Sequence, residues 1–212
     1  MSGPWLTWNV RGLGGSTKRE AVKKSVMQLK PELLLIQETK LNEQQQRTIT
    51  LWTQSFNMQH VESYSVGIAG GLMCLWRESS LQVLTAAVET WFILLTVKLP
   101  NLNQSFLVGN VYGPHSEADR RLCFEALKNR VMRYGGLVSL GGDFNAVLLG
   151  SERSSGGVLH VGDLSCQQFV QDNNLVELPL NNGDFTWFSS RNEGLWSRLD
   201  RWLVSDEKLF GP

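Results

Sequence analysis

The sequence lacks the features that mark membrane-spanning, secreted and disulfide-stabilised proteins. Its longest largely apolar run, residues 91–97, is far shorter than the roughly 18 residues that a membrane span needs. No basic-then-apolar signal segment opens the chain. The three cysteines, Cys74, Cys123 and Cys166, form no CxxC pair, which argues against a disulfide framework and a zinc site. We therefore expect an intracellular protein that is not secreted and has no membrane partner.

The sequence also lacks an excess of charge of either sign. Its 20 basic and 20 acidic side chains cancel, so any contact with nucleic acid has to be local. Hydrophobic residues make up 42% of the 212 positions, which is enough to bury a core and excludes intrinsic disorder. This length suits one domain, and we expect a single domain over residues 1–212 and a monomer.

Short apolar runs follow one another directly along much of the chain, which excludes regular strand–helix alternation of the Rossmann type. The runs predicted as strands, rich in Val, Leu, Phe and Trp, are 5–10, 32–36, 72–76, 81–88, 91–99, 106–112, 137–141, 185–189 and 199–205. Helices are predicted over 17–30, 43–54, 116–133 and 164–174. The predicted class is α/β with mixed or antiparallel sheets.

Polar side chains stand where several of these strands end, which is where layered α/β folds usually place their chemistry. They are Asn9, Glu38, Tyr112, Asp143, Asn145 and, inside the last strand, Asp200. Taken singly, each has a structural explanation, because Asn and Asp at strand ends commonly form turns. As a set they suit Mg²⁺ and a phosphate, since this cation takes one or two carboxylates and completes its shell with water and phosphate oxygens.

Other catalytic signatures are missing from the sequence. It has no GxxxxGK[ST], HExxH or GxSxG motif, and residues 12–15 do not complete a GxGxxG motif. Its three histidines, His60, His115 and His160, lack metal-ligand spacing and are interpreted as surface or packing residues.

Five short motifs give the sequence a resemblance to the endonuclease/exonuclease/phosphatase superfamily over nearly its whole length. In order, they are Trp8-Asn9-Val10-Arg11-Gly12-Leu13-Gly14, Gln37-Glu38-Thr39-Lys40, Asn110-Val111-Tyr112-Gly113-Pro114, Gly141-Gly142-Asp143-Phe144-Asn145 and Ser197-Arg198-Leu199-Asp200-Arg201. In finer detail, Arg11, residues 151–157 and the segment Asp184-Phe185-Thr186-Trp187 resemble the endonuclease domain of plant LINE-type (non-LTR) retrotransposons. The resemblance implies a four-layer αββα sandwich: two mixed, mainly antiparallel sheets with helices on the outside.

The resemblance also implies a DNA endonuclease that uses Mg²⁺, or Mn²⁺ in its place, and leaves a 3′ hydroxyl. Glu38 would hold the metal ion, and Asp143 would orient and deprotonate the attacking water. Asn9 and Asn145 would position that aspartate and stabilise the developing charge. Tyr112 would contact the phosphate.

Three further residues have family roles that are less central. The resemblance makes Asn110 and Thr186 substrate-binding residues, whereas Asp200 matches an aspartate that orients a catalytic histidine. That histidine belongs to a Ser-Asp-His motif, but here Ser205-Asp206 is followed by Glu207, and we interpret these residues as a loop. We therefore expect a domain truncated before the motif, without the final strand. Its activity would be weak or absent, because losing one electrostatic stabiliser commonly costs roughly 10²–10³ in rate.

Three interpretations of function stay open at this point. The first is a Mg²⁺-dependent endonuclease with DNA as its partner, a nuclear location and a reverse transcriptase domain in its parent element. The second is a catalytically dead remnant of a retrotransposon. The third keeps the fold but acts as a phosphatase on a small phosphorylated substrate, because fold alone does not fix function.

Overall fold

The computed structural model describes residues 3–65, 70–100, 103–181, 183–189 and 194–206. The chain divides into two compact units, Met1–Tyr112 and Gly113–Pro212, and each unit is treated by itself. Within the described residues, no helix combines the length and the apolar character that crossing a membrane requires.

The described part of the first unit contains two sheets and two α-helices. Its elements are β1 (Trp5–Asn9), α1 (Ser16–Leu29), β2 (Leu33–Gln37), α2 (Gln46–Gln54), β3 (Gln59–Ser63), β4 (Leu72–Trp76), β5 (Gln82–Val88), β6 (Phe92–Lys98) and β7 (Ser105–Tyr112). One sheet has the order β1-β2-β4-β3, with β1 and β2 parallel and the other pairs antiparallel. The second is an antiparallel meander of β5, β6 and β7, and it packs on the first sheet through β2 and β4.

The sequence of β2 explains this layering. All five of its residues are buried, as expected of a strand that is covered on both faces. Leu34 and Ile36 belong to a core cluster with Val22 of α1 and Ile49 of α2. Alternate residues of a strand point to opposite faces, so Gln37 lies on the other face of β2, toward the meander. The helices therefore cover one face of the sheet and β5–β7 cover the other.

The second unit combines a small antiparallel sheet with two helices and a hairpin. Its elements are α3 (Glu117–Tyr134), β8 (Val138–Asp143), α4 (Val161–Asp172), β9 (Leu175–Glu177), β10 (Trp187–Phe188), β11 (Trp196–Ser197) and β12 (Asp200–Ser205). Strand β12 pairs with β8 on one side and β9 on the other, while β10 and β11 form the hairpin. Phe124 of α3 stacks on Phe144 and on Phe169 of α4, which gives this unit its own aromatic core.

Each predicted strand and helix is present, but several bounds and three short strands were not predicted. Strand β8 continues through Gly141-Gly142 to Asp143, and α4 begins at Val161 because the Asp163 carboxylate accepts the backbone N–H of His160. The unpredicted strands are β3, β9 and β11, which are short or polar.

The segment Ser205-Asp206, predicted as a loop, is part strand. Ser205 is the last residue of β12, where its Oγ accepts the backbone N–H of Val138 over 2.8 Å. Glu207 and the residues after it lie outside the described residues.

Candidate active site

The turn after β2 holds Glu38 in an uncommon backbone conformation. Glu38 and Lys40 both have left-handed φ angles, +52° and +53°, on either side of the buried Thr39. The backbone N–H groups of Thr39 and Lys40 donate to the carbonyl oxygens of Gly71 (3.0 Å) and Gly70 (3.1 Å). Gly71 cannot be replaced freely, since its φ is +84° and a Cβ would lie 2.4 Å from Thr39 Oγ1. Such strained residues cluster at functional sites, so the turn points to a role for Glu38.

Three side chains of the first unit surround the Glu38 carboxylate. Asn9 Nδ2 donates to Oε1 over 2.9 Å, the Tyr112 hydroxyl hydrogen-bonds the carboxylate, and Lys40 Nζ lies 3.4 Å from Oε2. Burial raises the pKa of Glu38, but the hydrogen bonds from Asn9, Tyr112 and Lys40 outweigh burial and leave the pKa below its usual value. Glu38 is therefore ionised at neutral pH, and the structure brings the predicted residues Asn9, Glu38 and Tyr112 together.

Asn110 does not lie on a surface that a substrate could reach. Its side chain is completely buried, with Nδ2 donating to the carbonyl oxygens of Ile36 and Met73 and Oδ1 accepting from Gln37. The predicted substrate-binding role does not fit this burial. Gln37, its partner, was not singled out from the sequence, although a glutamine at the end of the run Leu-Leu-Leu-Ile is the signal that could have identified it.

In the second unit, Asp143 ends β8 and organises a tight turn. Its Oδ1 accepts the backbone N–H of Asn145 over 3.0 Å, and Asn145 itself is left-handed, with φ +48°. Asn145 Nδ2 donates to the carbonyl oxygen of Gly113 over 2.7 Å, and Gly113 N–H donates to the carbonyl oxygen of Asp143. Gly113 has to lack a side chain, because a Cβ would lie 2.0 Å from the carbonyl oxygen of Phe144. The predicted residues Asp143 and Asn145 thus share one turn.

Asp200 lies directly across from Asp143 on the neighbouring strand. The two residues are register partners in the β8–β12 pair. Thr186 supports this strand from outside, because its exposed side chain accepts the backbone N–H groups of Leu199 (3.0 Å) and Asp200 (2.9 Å). In the structure, Thr186 therefore binds the backbone beside Asp200, the second predicted aspartate.

A buried ionic cluster, absent from the sequence predictions, lies beside this turn. Arg201 has a completely buried side chain that pairs with Glu152 (3.0 Å) and Glu177 (3.1 Å). Its guanidinium also donates to the carbonyl oxygens of Ala146 and Arg198. Burial raises the pKa of Glu152, but Arg201 and the backbone N–H groups of Leu148 and Leu149 together outweigh burial and leave that pKa lowered. Arg201 directly follows the Ser-Arg-Leu-Asp motif, but no local pattern in the sequence indicates its pairing with Glu152 and Glu177.

A second buried carboxylate fixes the same loop. Asp163 is inaccessible to solvent, pairs with Arg153 over 2.7 Å and accepts the backbone N–H groups of Val147 and His160. Burial opposes its ionisation, but the hydrogen bonds from Arg153, His160 and Val147 lower its pKa overall. The loop that follows Asp143-Phe144-Asn145 is therefore held by charged side chains on both flanks.

The donor atoms around Glu38 fit a hard divalent cation. The described part of the chain contains no group of three or more His, Cys, Asp or Glu side chains placed to hold a metal ion. Mg²⁺ does not need such a group, because it commonly binds through one or two carboxylates and keeps its water. An ionised Glu38, with Asn9 at Oε1 and the exposed Lys40 at Oε2, supplies one such carboxylate.

The profile of one protein family, described as the Endonuclease/Exonuclease/phosphatase family, matches residues 6–210. The chain belongs to this family. Members of the Endonuclease/Exonuclease/phosphatase family are hydrolases that include nucleases and phosphatases. No curated protein sequence matches the chain significantly.

Solved structures of the family show the same fold. An AP endonuclease from Archaeoglobus fulgidus superposes with a TM-score of 0.73 at 17% identity, covering 97% of this chain and 87% of that one. The 3′ phosphatase NExo from Neisseria, bound to product DNA hairpin, gives 0.72 at 18%, covering 95% and 86%. A mannosyl-6-phosphatase from Bacteroides thetaiotaomicron gives 0.64 at 14%, covering 94% and 84%. The predicted α/β sandwich class is confirmed.

Proposed function

We propose that the chain is a Mg²⁺-dependent phosphodiester hydrolase that acts on DNA as an endonuclease. The observation that carries this proposal is the ionised Glu38, held by Asn9 and Tyr112 on a strained turn inside a family of nucleases and phosphatases. Holding a partly buried carboxylate in its charged form is costly, and a charged carboxylate is the kind of ligand that Mg²⁺ binds.

Five of the predicted residues have a role in this proposal. Glu38 would hold Mg²⁺, with Mn²⁺ as a substitute; a bound cation of this kind neutralises charge on a phosphate and its leaving oxygen. Asp143 would orient the attacking water and accept its proton. Asn145 and Asn9 would fix these two carboxylates, as their hydrogen bonds to the Asp143 turn and to Glu38 suggest. The Tyr112 hydroxyl would contact the phosphate.

The proposed subtype is the endonuclease of plant LINE-type retrotransposons, with a reverse transcriptase domain as its partner in the parent element and a nuclear location. The amino-acid sequence around Arg11, residues 151–157 and Thr186 supports this subtype.

Nicking of supercoiled plasmid by the purified chain in Mg²⁺ tests the proposal. Open circles should form, and they should be lost with EDTA, with Glu38→Gln and with Asp143→Asn. The matched control is Glu20→Gln, which makes the same change at an exposed position of α1. Each variant is checked for folding by circular dichroism.

A small phosphomonoester, such as a hexose 6-phosphate, is assayed in parallel. Release of phosphate without plasmid nicking would show that the chain is a phosphatase and not an endonuclease. The similarity to the fold of a mannosyl-6-phosphatase favours this second candidate. A folded chain inactive on both substrates would identify a catalytically dead remnant.

A further inference from the structure

Two uncharged polar side chains are buried between the two sheets of the first unit. Gln37 and Asn110 are both fully inaccessible to solvent. Burying carboxamides among apolar strands is unfavourable unless their donors and acceptors are paired. Their presence in this core therefore needs a reason beyond filling space.

The two side chains bond to each other and to neighbouring strands. Gln37 Nε2 donates to Asn110 Oδ1 (2.6 Å) and to Thr7 Oγ1 (2.9 Å), and Asn110 Nδ2 donates to the carbonyl oxygens of Ile36 and Met73, both at 3.0 Å. These contacts join β1, β2 and β4 of one sheet to β7 of the other. A pair of apolar residues could fill the same volume but would not fix the strands at one relative position.

The pair lies next to the residues that hold the candidate cation ligand. Gln37 immediately precedes Glu38, and Asn110 lies two residues before Tyr112 on the same face of β7. Glu38 and Tyr112 are hydrogen-bonded, and Glu38 also accepts from Asn9 of β1. The strands that the carboxamides join are thus the strands that carry Asn9, Glu38 and Tyr112.

We propose that Gln37 and Asn110 form a positioning pair that sets Glu38 at hydrogen-bonding distance from Asn9 and Tyr112. The expected effect on cation binding rests on the proposed function. The hydrogen bond between Asn9 and Glu38 can be measured without any activity. Neutral carboxamides suit this task, since they fix the strands without adding charge beside Glu38.

The test is the double variant Gln37→Met/Asn110→Leu, which keeps approximate shape. The variant removes both side chains of the Gln37–Asn110 bond, and it leaves the carbonyl oxygens of Ile36 and Met73 without their carboxamide donor. It should therefore fold with some loss of stability, which circular dichroism and urea denaturation measure. Thr7→Val is a milder variant, since it removes only the Thr7 acceptor of Gln37. Thr53→Val is the control, because Thr53 is an equally buried polar residue of α2.

Two measurements separate positioning from stability. The first is the side-chain amide proton resonance of Asn9, which reports its bond to Glu38 and should move in the double variant and less in Thr7→Val. The second is Mn²⁺ affinity by electron paramagnetic resonance, which should fall about 10–100-fold, as for other outer-shell ligand partners. Thr53→Val should change neither.

The outcomes distinguish this inference from the proposed function. A folded double variant with the wild-type Asn9 resonance overturns the positioning pair. If the wild-type chain binds no Mn²⁺, the cation site of the proposed function fails, and the Asn9 resonance alone decides the positioning pair.

Discussion

The two units hold their candidate site residues by different means. In the first unit, Glu38 follows a strand whose position is fixed by the neutral pair Gln37–Asn110. In the second, the loop after Asp143 is held by the buried ion pairs of Arg201 and Asp163. A strand already satisfies its backbone groups within a sheet, so uncharged hydrogen bonds are enough to set its position.

The loop after Asp143 has a different need. Over residues 146–149 its backbone N–H and C=O groups bond charged side chains, because buried backbone groups must be paired. Glu152 accepts the N–H groups of Leu148 and Leu149, and Arg201 donates to Ala146. Charged side chains with several donors or acceptors thus pair the backbone groups of this loop, as neighbouring strands do in a sheet. The second unit should therefore depend on ionisation, and the first should not.

The largest expected effect is that of Arg201→Met. The variant leaves the partly buried Glu152 and Glu177 without their shared cation, with Arg198 as the remaining partner of Glu177. This should cost about 3–5 kcal/mol in the free energy of unfolding. Urea denaturation measures the loss. Arg121→Met, at an exposed position of α3, is the control and should change little. Equal stability of the two variants would contradict the ionic role of Arg201.

Asp163→Asn should show the dependence on ionisation directly. Hydrogen bonds to a charged group contribute about 1.5–3 kcal/mol, so the variant should be less stable than wild type by that amount at pH 6. The folded pKa of Asp163 is lowered, so its contribution is present above the unfolded value of 3.8 and is lost as pH falls through the folded pKa.

The difference between wild type and Asp163→Asn should therefore shrink as the pH is lowered below about 4. Urea midpoints measured from pH 6 to pH 2 check this. A difference that stays constant over that range would mean that the charge of Asp163 is not what stabilises the loop.

Gly113→Ala should damage the Asp143 turn by crowding rather than by charge. The new Cβ would lie 2.0 Å from the carbonyl oxygen of Phe144, so the backbone must move, at a cost of about 1–3 kcal/mol. Thermal unfolding compares it with Gly14→Ala, where the nearest atom to a new Cβ is at 3.5 Å. We expect Gly14→Ala to unfold close to wild type; a similar loss in both would refute the crowding argument.

The smallest expected effect is that of Lys40→Met on cation binding. Lys40 is 42% exposed and contacts Glu38 Oε2, the atom that a divalent cation would compete for. An exposed ion pair is worth about 0.2–1 kcal/mol, so its removal should tighten Mn²⁺ binding by a few-fold at most. Lys24→Met, exposed on α1, is the control. Weaker binding in Lys40→Met would show that the lysine supports the site instead.

The sequence predicted what is local in this molecule. The strand 72–76 was placed at its observed bounds because it is a short apolar run after two glycines, and Ser116 caps α3 by accepting the Asp119 N–H. Glu38 was selected as a candidate because polar residues at strand ends are informative. The bonds that give these residues their environment were not predicted.

Those unpredicted bonds join distant parts of the chain. Gln37 and Asn110 are 73 positions apart, and Arg201 and Glu152 are 49 apart. Their pairing depends on strand order and register, which no local pattern contains. The same limit explains β9, whose three residues become a strand only because β12 lies beside them.

The alkylation rates of the three cysteines would report how often each unit unfolds locally. All three are buried free thiols. Burial raises the pKa of Cys74 and of Cys166 to about 12, and it raises the pKa of Cys123 as well. The thiols are therefore unreactive in the folded protein. Alkylation can therefore proceed only through transient unfolding. Cys74 lies in the first unit and the other two cysteines lie in the second. Mass spectrometry of the labelled peptides would therefore give the alkylation rate, and with it the frequency of local unfolding, for each unit in one sample.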